Sequence, residues 1–294
     1  MTEPYQHITG KAKIAGVMGF PVAHSRSPLL HNYWLRRYQI DGAYVPMAVD
    51  PLSLPSALRS LAPLGFAGCN ITVPHKENAI QLVDVVDELA KKVGAINTVV
   101  VGEKGSLAGS NTDVYGFTTN LEGAGKAWQK KKPALVVGAG GASRAVIIAL
   151  SESGCSEIRL TNRTNDRAII LAKEMQPFVK KITPVAWQDR DDAMKNCALL
   201  VNTTTQGMQG QPALDVDLRA LDDTALVTDL VYTPLHTPLL LEAKRRGHAI
   251  MDGLGMLLHQ AVPGFHAWYG VKPVVDDTAR LLLMTDIMNS KAPE

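Results

Sequence analysis

The stretch Ala134-Leu-Val-Val137-Gly138-Ala139-Gly140-Gly141-Ala142-Ser143-Arg144-Ala145, continuing into Val146-Ile-Ile-Ala-Leu150, decides how this chain folds. A short apolar run meets glycines and then a longer apolar run, the pattern of a buried strand, a tight turn and a helix. Gly138 permits the turn, and Gly140 lets the backbone approach a pyrophosphate. The free N–H groups at the helix start would face the anion. Ser143 stands where the third position of this fingerprint has Gly or Ala. By itself the run therefore also reads as a glycine turn in a doubly wound sheet without a ligand.

The next strand sharpens the reading. Ile158-Arg-Leu-Thr161 ends in Asn162-Arg163-Thr164, with Arg167 one turn on. A fold that prefers NAD ends this strand in an acidic residue that bonds the ribose 2′-hydroxyl. Here two guanidinium groups and a hydroxyl suit a 2′-phosphate instead, so NADP is predicted over NAD. The same arginines also read as a solvated helix start.

Working outward, short apolar runs alternate with helical patterns. Residues 13–18, 44–48 and 68–73 read as strands, 28–37 and 54–61 as helices, and 76–92 as helical stretches. Residues 97–101 and 106–110 flank Gly102-Glu-Lys-Gly105 as a hairpin. A helix is predicted at 113–121. Beyond the deciding stretch, 157–162, 182–186, 198–202, 226–231 and 249–251 read as strands, and 167–175, 238–246, 256–268 and 276–289 as helices. Such βα alternation predicts an α/β protein with parallel sheets and right-handed crossovers. The polar run from Gln129 through three lysines to Pro133 reads as a connector, and the domain boundary is placed within 111–133.

Composition narrows the function. A length of 294 residues predicts about two domains. With 46% apolar and 20% charged residues, there is ample material for a core. A formal charge of +2 argues against neutralising a phosphate backbone, and 5% aromatics are too few for base stacking. Neither a nucleic-acid nor a membrane partner is expected, since no apolar stretch reaches the roughly 18 residues that span a bilayer. The first thirteen residues lack the apolar core of a secretory signal. Cys69, Cys155 and Cys197 fit neither a disulfide framework nor a zinc cluster, and read as buried reduced thiols in the cytoplasm. No metal is expected.

Four polar clusters sit at expected strand ends, where α/β proteins place ligands. In His24-Ser25-Arg26-Ser27-Pro28, Ser27 reads as an N-cap with Pro28 at the first helical position. Ser25 and Ser27 beside that helix start could together bind a carboxylate. In Asn70-Ile-Thr72-Val-Pro74-His75-Lys76, a polar Thr72 is followed by a lysine just past the strand; Lys76 alone also reads as solvated, and His75 as packing or surface polarity. Gly94-Ala-Ile-Asn97-Thr98 and Ser110-Asn111-Thr112-Asp113 put amide and carboxylate groups at strand edges. Each also reads as a turn or cap, and Asp113 is placed to cap the helix that follows.

These motifs, in this order, resemble the shikimate dehydrogenase family. The likeness covers almost the whole chain and extends to Gly19-Phe-Pro21, Gly116-Phe117, Asn202-Thr-Thr204 with Gly207-Met208, the run Asp229 to Tyr232, and Asp252-Gly253-Leu-Gly255-Met256 with Gln260-Ala261. The resemblance implies reversible NADP(H)-linked reduction of 3-dehydroshikimate to shikimate, in the chorismate route to aromatic amino acids. It implies that Ser25 and Ser27 hold the substrate carboxylate with Tyr232 nearby. Thr72, Asn97, Asp113 and Gln260 would bind ring oxygens, and Lys76 and Asp113 would form the catalytic pair. Gly138, Ala139, Gly140, Gly141, Ala142, Asn162, Arg163, Thr164 and Arg167 would bind NADP, with Gly253 close to the nicotinamide. Leu230 departs from the pattern, since relatives often have methionine there.

The implied architecture is a substrate-binding α/β domain at 1–112 plus 256–294, its C-terminal helices returning to it. A Rossmann-type NADP domain would span 113–255. A monomer or homodimer is expected. Two other readings stay open: a paralogue acting on quinate or aminoshikimate, and a non-catalytic NADPH-binding sensor, which need not retain Lys76, Asp113 and Gln260 together. Tyrosine-based hydride chemistry is disfavoured because no Tyr-x-x-x-Lys spacing occurs, and a zinc alcohol dehydrogenase because the cysteines lack ligand spacing.

Overall fold

The computed structural model describes residues 8–123 and 128–289. The signal-sequence reading falls partly on residues 1–7, and part of the 111–133 boundary on 124–127, outside the described residues. The chain forms two compact units. One runs to Thr112 and includes Gln260–Ala279; the other comprises Asp113–His259 and the described residues from Arg280 to Asn289. This division differs from the expected domains after residue 255. The boundary falls inside a continuous helix rather than in a loop, and Arg280 is ion-paired with Asp252 of the second unit.

The first unit contains β1 (Lys13–Gly19), α1 (Ser27–Arg37), β2 (Gly42–Ala48), α2 (Leu54–Ser60), β3 (Phe66–Ile71), α3 (Lys76–Ala79), β4 (Val85–Val86), α4 (Glu88–Val93), β5 (Thr98–Val101) and β6 (Leu107–Ser110). Its sheet has the order β2-β1-β3-β5-β6-β4. β1 pairs in parallel with β2 and β3, while β5 pairs antiparallel with both β3 and β6. The sheet is therefore mixed where a parallel one was predicted, because the β5–β6 hairpin returns the chain without a crossover. The stretch 76–92 is not helical throughout: β4 interrupts it and pairs with β6.

Met18, Leu58, Cys69, Ile71, Ile96 and Val99 belong to one buried cluster beneath this sheet. A second group is aromatic. His31 stacks on Tyr44 at 4.0 Å between ring centres, edged by Trp34, Phe265 and Trp268. Phe265 and Trp268 lie on α9 (Leu254–Tyr269), whose residues from Gln260 onward belong to this unit. The Trp268 Nε1–H donates to Val99 O at 3.0 Å. Gly68, at φ +152°, has no space for a Cβ between that indole and Val99 O, so tryptophan and glycine fit as a pair.

The second unit contains α5 (Asp113–Gly123), β7 (Ala134–Val137), α6 (Gly141–Glu152), β8 (Ile158–Thr161), α7 (Asn165–Met175), β9 (Ile182–Val185), β10 (Leu199–Asn202), β11 (Leu226–Asp229), α8 (Pro238–Arg245) and β12 (Ala249–Met251). The sheet order is β12-β11-β10-β7-β8-β9, parallel throughout. Counted within the unit this is the doubly wound order 3-2-1-4-5-6. β7, β10 and β11 are buried along their full lengths, as a sheet covered on both faces requires. The order reverses between β7 and β10, so the loops after these strands flank the switch point where such folds bind ligands.

Burial raises the thiol pKa of all three cysteines, Cys197 to about 11, which keeps them protonated and unreactive. Among the described residues no helix is long and apolar enough to cross a membrane.

Candidate active site

In the first unit, α1 begins at Ser27 and its cap position is Arg26, with no side-chain cap bond. The expectation that Ser27 caps this helix is thus corrected by one residue. Ser27 is buried and its hydroxyl hydrogen-bonds Tyr44. Ser25 Oγ accepts the Ser27 N–H at 3.4 Å, a long contact that keeps the two serines together at the helix start.

Thr72 and Lys76 lie just beyond β3, both half-buried. The Thr72 N–H donates to Met18 O at 2.9 Å, and Lys76 O accepts from Ile96 N at 3.0 Å. His75 is wholly buried, so the surface half of its sequence reading is overturned. Its Nε2 lies 2.7 Å from Val49 O. A carbonyl only accepts, so Nε2 carries the hydrogen. Val49 N donates to Gly19 O at 3.1 Å and Phe20 N to Val73 O at 3.1 Å. The ends of β1, β2 and β3, which carry Ser25, Thr72 and Lys76 forward, are thereby tied to one another.

Beside them lies a buried polar cluster. The Tyr44 hydroxyl donates to Asn70 Oδ1 at 2.6 Å, and Asn70 Nδ2 donates to Asn97 O at 3.0 Å and Thr98 Oγ1 at 3.1 Å. Asn97 Nδ2 reaches Thr112 Oγ1 at 3.0 Å and Gln260 Oε1 at 3.4 Å, while its Oδ1 accepts from Thr112 N at 2.8 Å. The Thr112 hydroxyl donates to Gln260 O at 2.8 Å. Asn97 and Gln260 are thus brought together. Tyr44, Asn70, Thr98 and Thr112, not singled out as site residues, complete the cluster. Their signal in the sequence was polar residues where a buried strand end favours apolar ones. Asp113 follows directly and is buried. It is the first residue of α5 rather than its cap, in the turn where the helix favours negative charge.

In the second unit Gly138 has φ +118°, and a Cβ there would overlap Thr203 Oγ1. Around Gly140 a Cβ would meet nothing within 4 Å, so space is open beside the turn. Ser143 is wholly buried and its Oγ accepts the Gly140 N–H at 3.2 Å. Asn162 Nδ2 donates to Thr164 O at 2.9 Å, which shapes the turn after β8. Arg163, Thr164 and Arg167 are exposed, and Arg167 Nη2 reaches Ala139 O at 3.4 Å. The arginine side chain therefore lies over the glycine turn. The nearby Asp166, also exposed, is a carboxylate the sequence reading passed over. An open glycine turn, a helix start and two exposed guanidinium groups fit a dinucleotide that carries an extra phosphate.

The segment after β11 is held by Asp229. Asp229 Oδ1 accepts from Asn202 Nδ2 at 2.9 Å and Val231 N at 3.0 Å, and Oδ2 accepts from Thr237 Oγ1 at 2.7 Å. Burial raises this carboxyl to a pKa of about 6 against the pull of those donors. Leu230 and Tyr232, both half-buried, follow it. Gly253 packs so closely on Leu230 O that no Cβ fits. Asn120 Nδ2 donates to Asp252 O at 3.1 Å, which fixes the turn into α9.

A doubly wound sheet with this glycine turn, joined to an α/β unit with a buried polar cluster, defines an NADP-linked oxidoreductase. Two family models match: the shikimate dehydrogenase substrate-binding domain over residues 17–99, and shikimate/quinate 5-dehydrogenase over 123–208. The chain is 53% identical to the shikimate dehydrogenase (NADP(+)) of Paramagnetospirillum magneticum, over 95% of this chain and all of that one. A crystal structure of a shikimate dehydrogenase in complex with NADP+ aligns at TM-score 0.86 and 33% identity, covering 96% of this chain and 98% of that one. The Thermus thermophilus enzyme, solved with NADP(H) and shikimate, aligns at TM-score 0.82 and 35% identity, covering 94% and 99%. The chain belongs to the shikimate dehydrogenase family.

Proposed function

We propose that this chain catalyses the reversible NADP-dependent reduction of 3-dehydroshikimate to shikimate, in the cytoplasm, as a monomer or homodimer. The observation that carries the reading is the buried cluster of Asn70, Asn97, Thr98, Thr112 and Gln260 beside the Thr72–Lys76 segment. Its amides and hydroxyls are mutually hydrogen-bonded, and such convergent polar groups suit the hydroxyls of a small ring.

NADPH, when bound, supplies the hydride. Its pyrophosphate would lie on the turn formed by Gly138, Ala139, Gly140, Gly141 and Ala142, and its 2′-phosphate beside Asn162, Arg163, Thr164 and Arg167. Leu230 and Gly253 would border the nicotinamide. Ser25, Ser27 and Tyr232 would hold the substrate carboxylate, and Thr72, Asn97, Asp113 and Gln260 the ring oxygens. To take a ligand hydroxyl, Asn97 would give up the long Gln260 contact first. As charge builds on the carbonyl oxygen, the Lys76 ammonium would stabilise it and donate the proton; in oxidation the neutral amine accepts it. Asp113 would orient the ammonium.

The family description also covers quinate, and an aminoshikimate paralogue is the other reading. One panel separates them: initial rates with shikimate, quinate and aminoshikimate, each with NADP and NAD. Turnover dominated by shikimate with NADP supports the proposal; faster turnover of another acid replaces its substrate. NADPH binding with no turnover of any of the three would revive the sensor.

A further inference from the structure

At the switch point of the second unit, four groups form one directed hydrogen-bond chain. Thr203 Oγ1 lies 2.8 Å from Val137 O, and since a carbonyl only accepts, the threonine's single hydroxyl hydrogen is spent there. Ser143 Oγ lies 2.6 Å from Thr203 Oγ1, so Ser143 is the donor in that pair. Ser143 Oγ in turn accepts the Gly140 N–H at 3.2 Å. The order is Gly140 N–H to Ser143, Ser143 O–H to Thr203, and Thr203 O–H to Val137 O. It joins the glycine turn after β7 to the end of β10, the two strands between which the sheet order reverses. Every proton has one destination, and Ser143 has no exposure to water.

We propose that Ser143 is a positioning residue for the cofactor pyrophosphate. It holds the glycine turn in its ligand-ready shape before the cofactor arrives, and it withdraws the Gly140 N–H from the phosphate donors. The pyrophosphate is then left to the N–H groups of the first turn of α6, which have no partners within the helix. With Gly or Ala at this position the Gly140 N–H has no such acceptor, and the turn must be ordered at the expense of binding. Serine at the third fingerprint position is therefore a pre-organising substitution, with Thr203 as its required partner. This deepens the reading of the glycine turn as the NADP site and rests on it.

The test uses the full chain and NADPH as the probe. Dissociation constants are measured by fluorescence titration, and exchange of the Gly140 amide in ligand-free protein by NMR. Ser143→Ala and Thr203→Val are each expected to weaken NADPH binding about 5- to 20-fold, the range for one or two lost hydrogen bonds. The double variant should be no weaker than either single one, since both break one chain. Gly140 exchange should accelerate, KM for NADPH should rise more than kcat falls, and Thr203→Ser, which keeps the hydroxyl, should restore binding. An unchanged or tighter dissociation constant in Ser143→Ala, or additive losses in the double variant, would overturn the proposal. Should Thr203→Val not fold, Ser143→Ala with the exchange measurement decides alone. Wild-type protein that fails to bind NADPH at all would instead refute the underlying site.

Discussion

Asn97 and Thr112 hold each other at both ends: Asn97 Oδ1 accepts the Thr112 backbone N–H at 2.8 Å while Asn97 Nδ2 donates to Thr112 Oγ1 at 3.0 Å. The residue after Thr112 is Asp113, so this pair sets where the backbone delivers the carboxylate proposed to orient Lys76. Asn97→Ala should leave the Thr112 N–H buried without its partner and lower stability by about 1–3 kcal/mol. Urea denaturation measures it, and a loss below about 0.5 kcal/mol would show that water replaces the amide.

Lys76→Ala should lower kcat by about 10²–10⁴ while KM for shikimate changes little, because the ammonium acts on charge present only in the transition state. Steady-state kinetics at saturating NADP make the measurement. An unchanged kcat removes Lys76 from the chemistry.

Ser25→Ala combined with Ser27→Ala should act mainly on KM, raising it about 10- to 100-fold, since carboxylate binding serves ground and transition states alike. If KM does not move, the carboxylate is held elsewhere.

Arg163→Ala should erode the preference for NADP. The ratio of kcat/KM for NADP to that for NAD is expected to fall about tenfold or more, the scale of one charge-assisted contact. Equal losses with both cofactors would refute contact with the 2′-phosphate. Asp166→Asn, which removes the neighbouring carboxylate, is expected to shift the ratio the other way.

His31 supplies a pH dependence. It is wholly buried with no hydrogen-bond partner on either ring nitrogen, and burial lowers its pKa to about 3 from 6.5. The unfolded chain takes up this proton below about pH 6.5 and the folded chain does not until about 3. The contribution is fully present above pH 6.5 and is lost as pH falls toward 3, at up to about 1.4 kcal/mol per pH unit. Asp229 in the other unit has the opposite sign. Its raised pKa, about 6 against 3.8, gives stability that is present below 3.8 and lost as pH rises through 6. His31→Phe keeps a ring against Tyr44 and isolates the first effect. Its stability relative to wild type should improve steadily from pH 6 to 4 in urea titrations; a constant difference would mean that His31 is protonated in the folded chain.

Local signals were read well where one element decides the conformation. The strand at 134–137, the glycine turn and its helix, and the hairpin around 102–105 depend on apolar runs and on glycine geometry within a few residues. β4 escaped notice because two valines have no period of their own and become a strand only by pairing with β6. The cap of α1 falls on Arg26 because the helix already includes Ser27. His75 read as packing or surface polarity because its partner Val49 lies 26 residues away in the chain.

By itself the sequence determined two α/β units, a dinucleotide-type turn without a carboxylate at the end of the strand after it, and the motifs that mark the family, because each depends on neighbours along the chain. The tertiary structure alone decided the mixed order of the first sheet and the gathering of Asn70, Asn97, Thr112 and Gln260. It also decided the use of Ser143 as a bridge to Thr203. These depend on hydrogen bonds between residues far apart in the chain, whose donors and acceptors are visible in a sequence but whose distances are set only when the strands pack.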